Sequence, residues 1–171
     1  MALQQHIEEI TDILKREVRS FNAILELLIR EEKCLIECDT EALSEVLEKQ
    51  EDVFNSIACL ERSRTDVLSK IAEETGDDPG LITISGLSEK IDGPVRRELI
   101  ETGHVLMRLN EEIQRKKSTN TMLINQSIML VESDLRLIVG AINRAQDNEA
   151  GYDSKADSNR TPHGVRLDQR M

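Results

Sequence analysis

The sequence predicts an all-α fold: an elongated antiparallel three-helix bundle or coiled coil, built from a long helical hairpin and a longer third helix, with a disordered C-terminal tail. Three observations carry this. Every third and fourth residue from Leu43 reads Leu43, Val46, Gln50, Val53, Ile57, Leu60, Arg64, Val67 and Ile71, a stripe without a slip. Such spacing packs one helix lengthwise on another. Aromatics make up only 2% of the chain and tryptophan is absent, so Leu, Ile and Val must form the core, which suits slender bundles rather than a round interior. Three prolines and eight glycines, mostly in two regions, leave long stretches free for helix.

The first helix runs from about Ala2 to Glu37, with its stripe at Leu3, Ile7, Ile10, Leu14, Val18, Phe21, Leu25, Leu28 and a weaker close at Leu35. Asp39 or Thr40 then caps a second helix, with Glu41 well placed in its first turn. This helix runs from about Glu41 to Glu74, so two helices of nearly equal length follow one another across a very short connection. That arrangement is an antiparallel hairpin. Leu47, Phe54 and Leu68 widen the second stripe to a face, which predicts that this helix touches two neighbours.

Gly76 and the Asp77-Asp78-Pro79-Gly80 run end the hairpin. A short helix within Leu81–Ile91, capped by Ser85, precedes Asp92-Gly93-Pro94, and Pro94 suits a first helical turn. The third helix extends from Pro94 to about Gln146, with Gly103 as a weak point. At about 1.5 Å per residue it is on the order of 80 Å long, against roughly 55 Å for its partners. It must bend, break or overhang. Its stripe also changes character. Leu106, Leu109 and Ile113 begin it, the polar run Gln114–Thr121 interrupts it, and Ile124, Ile128, Val131, Leu135, Ile138 and Ile142 resume it. Met122, Leu123, Met129, Leu130 and Leu137 add an apolar flank beyond what one seam uses. Such a surplus fits a helix packed on two partners, or one held open for a helix of another protein. The domain plan is therefore a helical bundle over 1–149 (hairpin 1–75, loop and short helix 76–93, long helix 94–149) and a tail over 150–171. That tail is small, polar and aperiodic, with the chain's one tyrosine, Tyr152.

Net charge is −11 over 171 residues, unevenly spread: residues 1–75 hold 9 basic and 18 acidic side chains, whereas 104–149 hold 6 of each. The acidic half repels nucleic acid and anionic lipid, which argues against both as partners. Cys34, Cys38 and Cys59 are odd in number and fit reduced thiols of a cytosolic protein. Cys34 and Cys38 lie one turn apart, yet no histidine near them completes a zinc site. Met1–His6 lacks the basic start and apolar core of a signal peptide, and no apolar run is long enough to span a membrane. His6, His104 and His163 have no nucleophile at motif spacing, and no phosphate-binding glycine loop exists. His104 could belong to a phosphorelay bundle, but Val105-Leu106-Met107-Arg108 follows it in place of the usual lysine and glycine. The residues therefore predict a binding protein, with no enzyme activity, cofactor or metal.

Three stretches resemble the FlgN-type flagellar export chaperones of the bacterial type III secretion apparatus. The first is Leu27-Leu28-Ile29-Arg30-Glu31-Glu32-Lys33-Cys34-Leu35, the turn at Asp39, and the apolar start Leu43, Val46, Leu47 with Gln50. The second is Asn120, Leu123 and Ile124 through Leu137 in a long last helix. The third is Tyr152-Asp153-Ser154 before a polar end that carries Arg166-Leu167-Asp168. The resemblance implies a chaperone that binds the C-terminal helical segments of the hook–filament junction proteins, prevents their early assembly and delivers them to the export gate. By the same analogy Leu123, Ile124, Ile128, Val131, Leu135, Ile138 and Ile142 capture the client, and Tyr152 docks on the cytoplasmic domain of the export-gate platform protein. The chain departs from that family in that Tyr152-Asp153-Ser154-Lys155 lacks the glycine often found just after the tyrosine. The competing reading is a structural coiled-coil or adaptor subunit without a client.

Overall fold

A computed structural model describes the backbone of residues 2–156 and the side chains of residues 3–144. The fold is all-α: α1 (Ala2–Glu37), α2 (Thr40–Thr75), a 3-10 turn (Pro79–Leu81), α3 (Ile84–Glu89) and α4 (Pro94–Ala156). By its internal contacts the chain forms two compact units, residues 1–125 and 126–171.

In the first unit α1 and α2 are each 36 residues long. Both carry the predicted apolar seam, so burial of one against the other drives their pairing. Three cross-helix polar contacts show that the register holds from end to end. His6 Nε2 lies 3.4 Å from Glu74 Oε1, Arg64 Nε donates to Glu17 Oε1 at 3.1 Å, and Gln50 Nε2 donates to Glu31 Oε2 at 2.7 Å. The two polar residues of the α2 stripe thus each meet a buried carboxylate on α1. Burial pushes the Glu17 carboxyl above the usual carboxylate range, and the Arg64 guanidinium pulls it part of the way back.

The connection uses one residue for two tasks. Cys38 takes the left-handed conformation, with φ of 56°, and the Asp39 backbone N–H returns to Cys34 O at 3.0 Å, closing α1 in a Schellman-type cap. Asp39 Oδ1 then accepts from the Ala42 backbone N–H at 3.0 Å and caps α2, as the sequence predicts. At the far end Gly76, with φ of 73°, donates to Ala72 O at 2.8 Å and stops α2.

The first part of α4 runs parallel to α1. Lys15 Nζ sits 2.7 Å from Glu98 Oε1, Lys116 pairs with Glu32, and Asn120 Nδ2 donates to Leu28 O at 2.9 Å. Glu98 and Asp12 together raise the Lys15 ammonium above its ordinary pKa. Two apolar clusters fill this unit. One gathers Ile7, Ile10, Leu14, Leu60, Ile71 and Leu99 with Leu87 of α3, and the other gathers Ile24, Leu28, Val46 and Ile113.

Four expectations change. Thr83, not Ser85, caps α3: its backbone is extended and its Oγ1 accepts from the Gly86 N–H at 3.1 Å, while Ser85 lies inside the helix. Gly103 does not weaken α4, which runs straight through it. A Cβ there would stand 2.9 Å from Ile84 Cδ1, so glycine is what lets α3 lie against α4. The polar run 114–121 does not interrupt the packing, because Asn120 is buried and Lys116 is paired across to α1. Finally, the α2 face is covered on one side only. Leu68 packs against the first cluster, but Leu47 and Phe54 remain 47% and 44% exposed, because α4 is bound along α1. The loop between α2 and α3 is held by Lys90 Nζ on Asp77 Oδ2 at 2.6 Å, and this lysine holds the Asp77 carboxyl below its usual range. The helix α4 continues past Gln146 to Ala156; the predicted tail beyond that, 157–171, lies outside the described residues.

Candidate partner-binding helix

From Ile124 to Ile142 the α4 helix is rich in large aliphatic side chains, and among the described residues these stand in water. Ile128, Val131, Leu135, Ile138 and Ile142 are all about half exposed or more, and Ile124 is 38% exposed. Leu123 is half-buried. Isoleucine, leucine and valine are ordinarily the residues removed from solvent, so an exposed run of them is the feature that calls for an occupant.

Helical geometry sorts these residues into two sets. At roughly 100° per residue, Ile124, Ile128, Val131, Leu135, Ile138 and Ile142 fall on one arc of the helix. Leu123, Leu130 and Leu137, each seven residues from the next, fall on the opposite arc with Met122 and Met129 beside them. Polar residues lie between the arcs, Asn125, Glu132, Arg136 and Asn143 along one side and Ser127 and Asp134 along the other, and Gln126, Ser133 and Arg144 lie within the second arc, between its leucines and its methionines. So the predicted capture residues do not form a single patch, because Leu123 faces away from the other six. The flank read from sequence is a second face. Val139, at the edge of the first arc and 53% exposed, belongs with it; its spacing of four from Leu135 was the signal.

The polar residues here are too exposed to bind anything strongly by charge alone. Arg136 Nη2 reaches Glu132 Oε2 at 3.8 Å with both side chains largely in solvent, an ion pair worth little. Arg144 Nε donates to Gly140 O at 3.0 Å along the helix itself. Apolar contact is the chemistry this surface offers, with Asp134 on one margin and the Glu132–Arg136 pair on the other. Tyr152 lies on α4, but its side chain is outside the described ones.

Elsewhere the first unit shows an open groove of about 400 Å³ lined by Phe21, Ile84, His104 and Met107. Cys34 is buried, and Cys38 and Cys59 are exposed. Among the described residues no group of three or more His, Cys, Asp or Glu side chains could hold a metal ion. No described helix is long and apolar enough to cross a membrane.

Comparison with known proteins adds one match. A family model described as FlgN protein covers residues 1–160, which takes in the hairpin, α3 and the exposed arcs of α4. No curated protein and no solved structure matches the chain. The match spans most of the sequence and agrees with the long hairpin, the Asp39 turn and the apolar last helix: the chain belongs to the FlgN family of flagellar export chaperones.

Proposed function

We propose that the chain captures the C-terminal helical segments of hook–filament junction proteins on the distal part of α4, keeps them from assembling early, and delivers them to the cytoplasmic domain of the export-gate platform protein. One observation carries the reading: the aliphatic stripe from Ile128 to Ile142 stays in solvent while the same kinds of residue at Leu109 and Ile113 are buried in the core. A carrier needs such a surface, since an amphipathic client helix finds there the apolar cover it lacks before assembly. Capture is assigned to Leu123, Ile124, Ile128, Val131, Leu135, Ile138 and Ile142. Docking on the gate is assigned to Tyr152, an aromatic of the type that anchors small interfaces.

The test compares two substitutions on one helix. Ile113→Ser removes a core side chain and should lower the melting temperature, costing roughly 2–4 kcal/mol of stability. Ile138→Ser should leave melting nearly unchanged and weaken binding of a purified junction protein about tenfold or more. An Ile138→Ser protein that melts early yet binds normally once folded would remove this surface from client capture. For delivery, the loaded chaperone is titrated against the isolated gate domain. Equal affinity for wild type and Tyr152→Ala would take Tyr152 out of the mechanism.

A further inference from the structure

Within the first unit, an apolar groove holds one buried acid that its neighbours do not fully match. The groove opens beside α3 with a volume of about 400 Å³, and Phe21, Ile84, Ile100 and Met107 give it apolar walls. Glu17 is the one carboxylate on its lining, and no lysine or arginine joins it there. This glutamate is 6% exposed. Its Oε1 accepts from Arg64 Nε at 3.1 Å, while its Oε2 has no partner among the described hydrogen bonds. Arg64 is shared, since its Nη2 also lies 3.8 Å from Glu61 Oε1. One guanidinium thus serves two carboxylates. Burial pushes the Glu17 carboxyl above the usual range, Arg64 pulls it part of the way back, and Glu61 works against that pull. A groove of this size with apolar walls and a perturbed polar group on its lining has the make-up of a binding site.

We propose that this groove receives an arginine side chain of a partner protein, with the aliphatic stem against Ile84, Ile100 and Met107 and the guanidinium beside Phe21 and Glu17. None of these residues is assigned to client capture, so the proposal stands apart from that reading.

The chemistry of the lining selects the occupant. A carboxylate that shares its only cation calls for a second positive group, and the excess of 18 acidic over 9 basic side chains in residues 1–75 draws cations to this hairpin. Apolar walls call for a stem of methylenes, which lysine and arginine both carry. Two features favour arginine. Phe21 lies one helical turn beyond Glu17 on α1, so a planar guanidinium that meets the carboxylate can also stack on the ring. A guanidinium is also less strongly hydrated than an ammonium, so it gives up less water where a single carboxylate oxygen is open to it. Two others favour a protein over a free small cation. The groove is open, and Met107 on its wall is 65% exposed. His104 and Asn110, also on the lining, are exposed polar residues. A protein surface laid across the groove covers the methionine and meets a polar rim, as interfaces do, whereas a small cation leaves both in water.

Magnetic resonance titrations of the full chain, read at the Gly103 amide and the Met107 methyl of the groove, test this. The probes are n-butylguanidinium, n-butylammonium, the uncharged n-butylurea, and a blocked peptide with one arginine between two leucines. Butylguanidinium should bind saturably and about tenfold more tightly than butylurea. The peptide should gain about tenfold again, because its leucines cover apolar wall. Glu17→Gln should abolish the preference for guanidinium over urea, a ratio that a purely structural role would leave alone. Met107→Lys places an ammonium on an exposed part of the wall; it should melt like the wild type and bind butylguanidinium about fivefold more weakly, by repulsion of like charges. Equal binding of butylguanidinium and butylurea would overturn the ionic anchor. Tighter binding of butylammonium would overturn the choice of arginine. A peptide no tighter than butylguanidinium would assign the groove to a free small cation and overturn the protein partner. Shifts of equal size across residues 126–144 would reduce the effect to diffuse attraction of cations. Should Glu17→Gln fail to fold, Met107→Lys decides, and unchanged butylguanidinium binding there would place the cation outside the groove.

Discussion

The two parts of α4 use the same residues for different ends. Leu109 and Ile113 are 5% and 7% exposed, whereas Leu135 and Ile142 are 55% and 51% exposed. All four sit on stripes with the spacing of three and four that marks a helix face to be buried. Periodicity therefore states that a face needs cover and is silent on who provides it. The polar residues separate the cases better. In the bundle part, Asn120 and Lys116 reach across to Leu28 and Glu32 of α1. In the distal part, Glu132 and Asp134 mark the margins of an apolar arc, and Glu132 pairs only along its own helix with Arg136 at 3.8 Å among the described contacts. A polar residue with a partner on another element belongs to a finished interface. In the distal part the polar residues instead border aliphatic side chains that stay in solvent.

The widest gap between the two regions should come from placing a carboxylate in each. Leu60 is 5% exposed in the first cluster, so Leu60→Asp buries an unpaired charge and should cost roughly 4 kcal/mol or more, enough to unfold a marginal bundle. Leu135→Asp puts the same group into water and should change stability by no more than about 0.5 kcal/mol. Melting followed by circular dichroism reads both. Equal loss in the two proteins would mean that the distal arc is core after all, and the contrast between the regions would fall.

A smaller effect, with a pH signature, is expected inside the bundle. Arg64→Met removes the cation facing the buried Glu17 and should cost about 2–3 kcal/mol near neutral pH, because the carboxylate is left without its partner. The sign with pH follows from the raised Glu17 pKa. A carboxyl whose folded value lies above its unfolded value holds its proton longer in the folded state, so stability falls as pH rises from the unfolded value through the folded one. Without Arg64 the folded value rises further. The deficit of Arg64→Met should therefore shrink on acidification toward the ordinary carboxylate range, where Glu17 is protonated and needs no cation. Denaturant titrations at several pH values would detect this. A deficit that does not change with pH would mean that Glu17 is well enough hydrated not to need Arg64.

Much of the bundle was legible in the sequence because it rests on local rules. The first helix, Ala2–Glu37, the Asp39 cap and the Gly76 stop follow from stripe, cap chemistry and left-handed propensity, each within a few residues. What was not legible depends on neighbours. Ser85 and Thr83 are both plausible caps, and only the extended backbone at Thr83 decides between them. Gly103 looks like a helix breaker until Ile84 is found against it. Asn120 looks like an interruption until the Leu28 carbonyl is found within reach. Leu47 and Phe54 look like core because the stripe cannot say along which side of the hairpin α4 will lie. The distal arcs were half legible: their apolar surplus was plain, but its division into two opposite faces appears only when the residues are set on a continuous helix.

The last predicted change is a small gain, and it separates the regions from the other direction. Cys38 holds a left-handed conformation, φ of 56°, that costs a residue with a Cβ roughly 1–2 kcal/mol. Its side chain is exposed and its thiol makes only a long contact of 4.0 Å to Leu35 O among the described hydrogen bonds, so little is lost by removing it. Cys38→Gly should relieve the strain while adding freedom to the unfolded chain, for a net gain of about 0.5–1 kcal/mol. The Schellman-type closure needs only the Asp39 N–H and the Cys34 carbonyl, and both remain. The turn lies in the first unit, so the gain should slow amide exchange around Leu60 and Ile71 and leave exchange in residues 126–144 as it was. Those distal amides should in any case exchange much faster, since among the described residues their side chains are largely exposed and little burial supports the helix there. Slower exchange across 126–144 in Cys38→Gly would show that the distal helix shares the cooperative unfolding of the bundle, and its residues would then have to be counted as part of one folded whole.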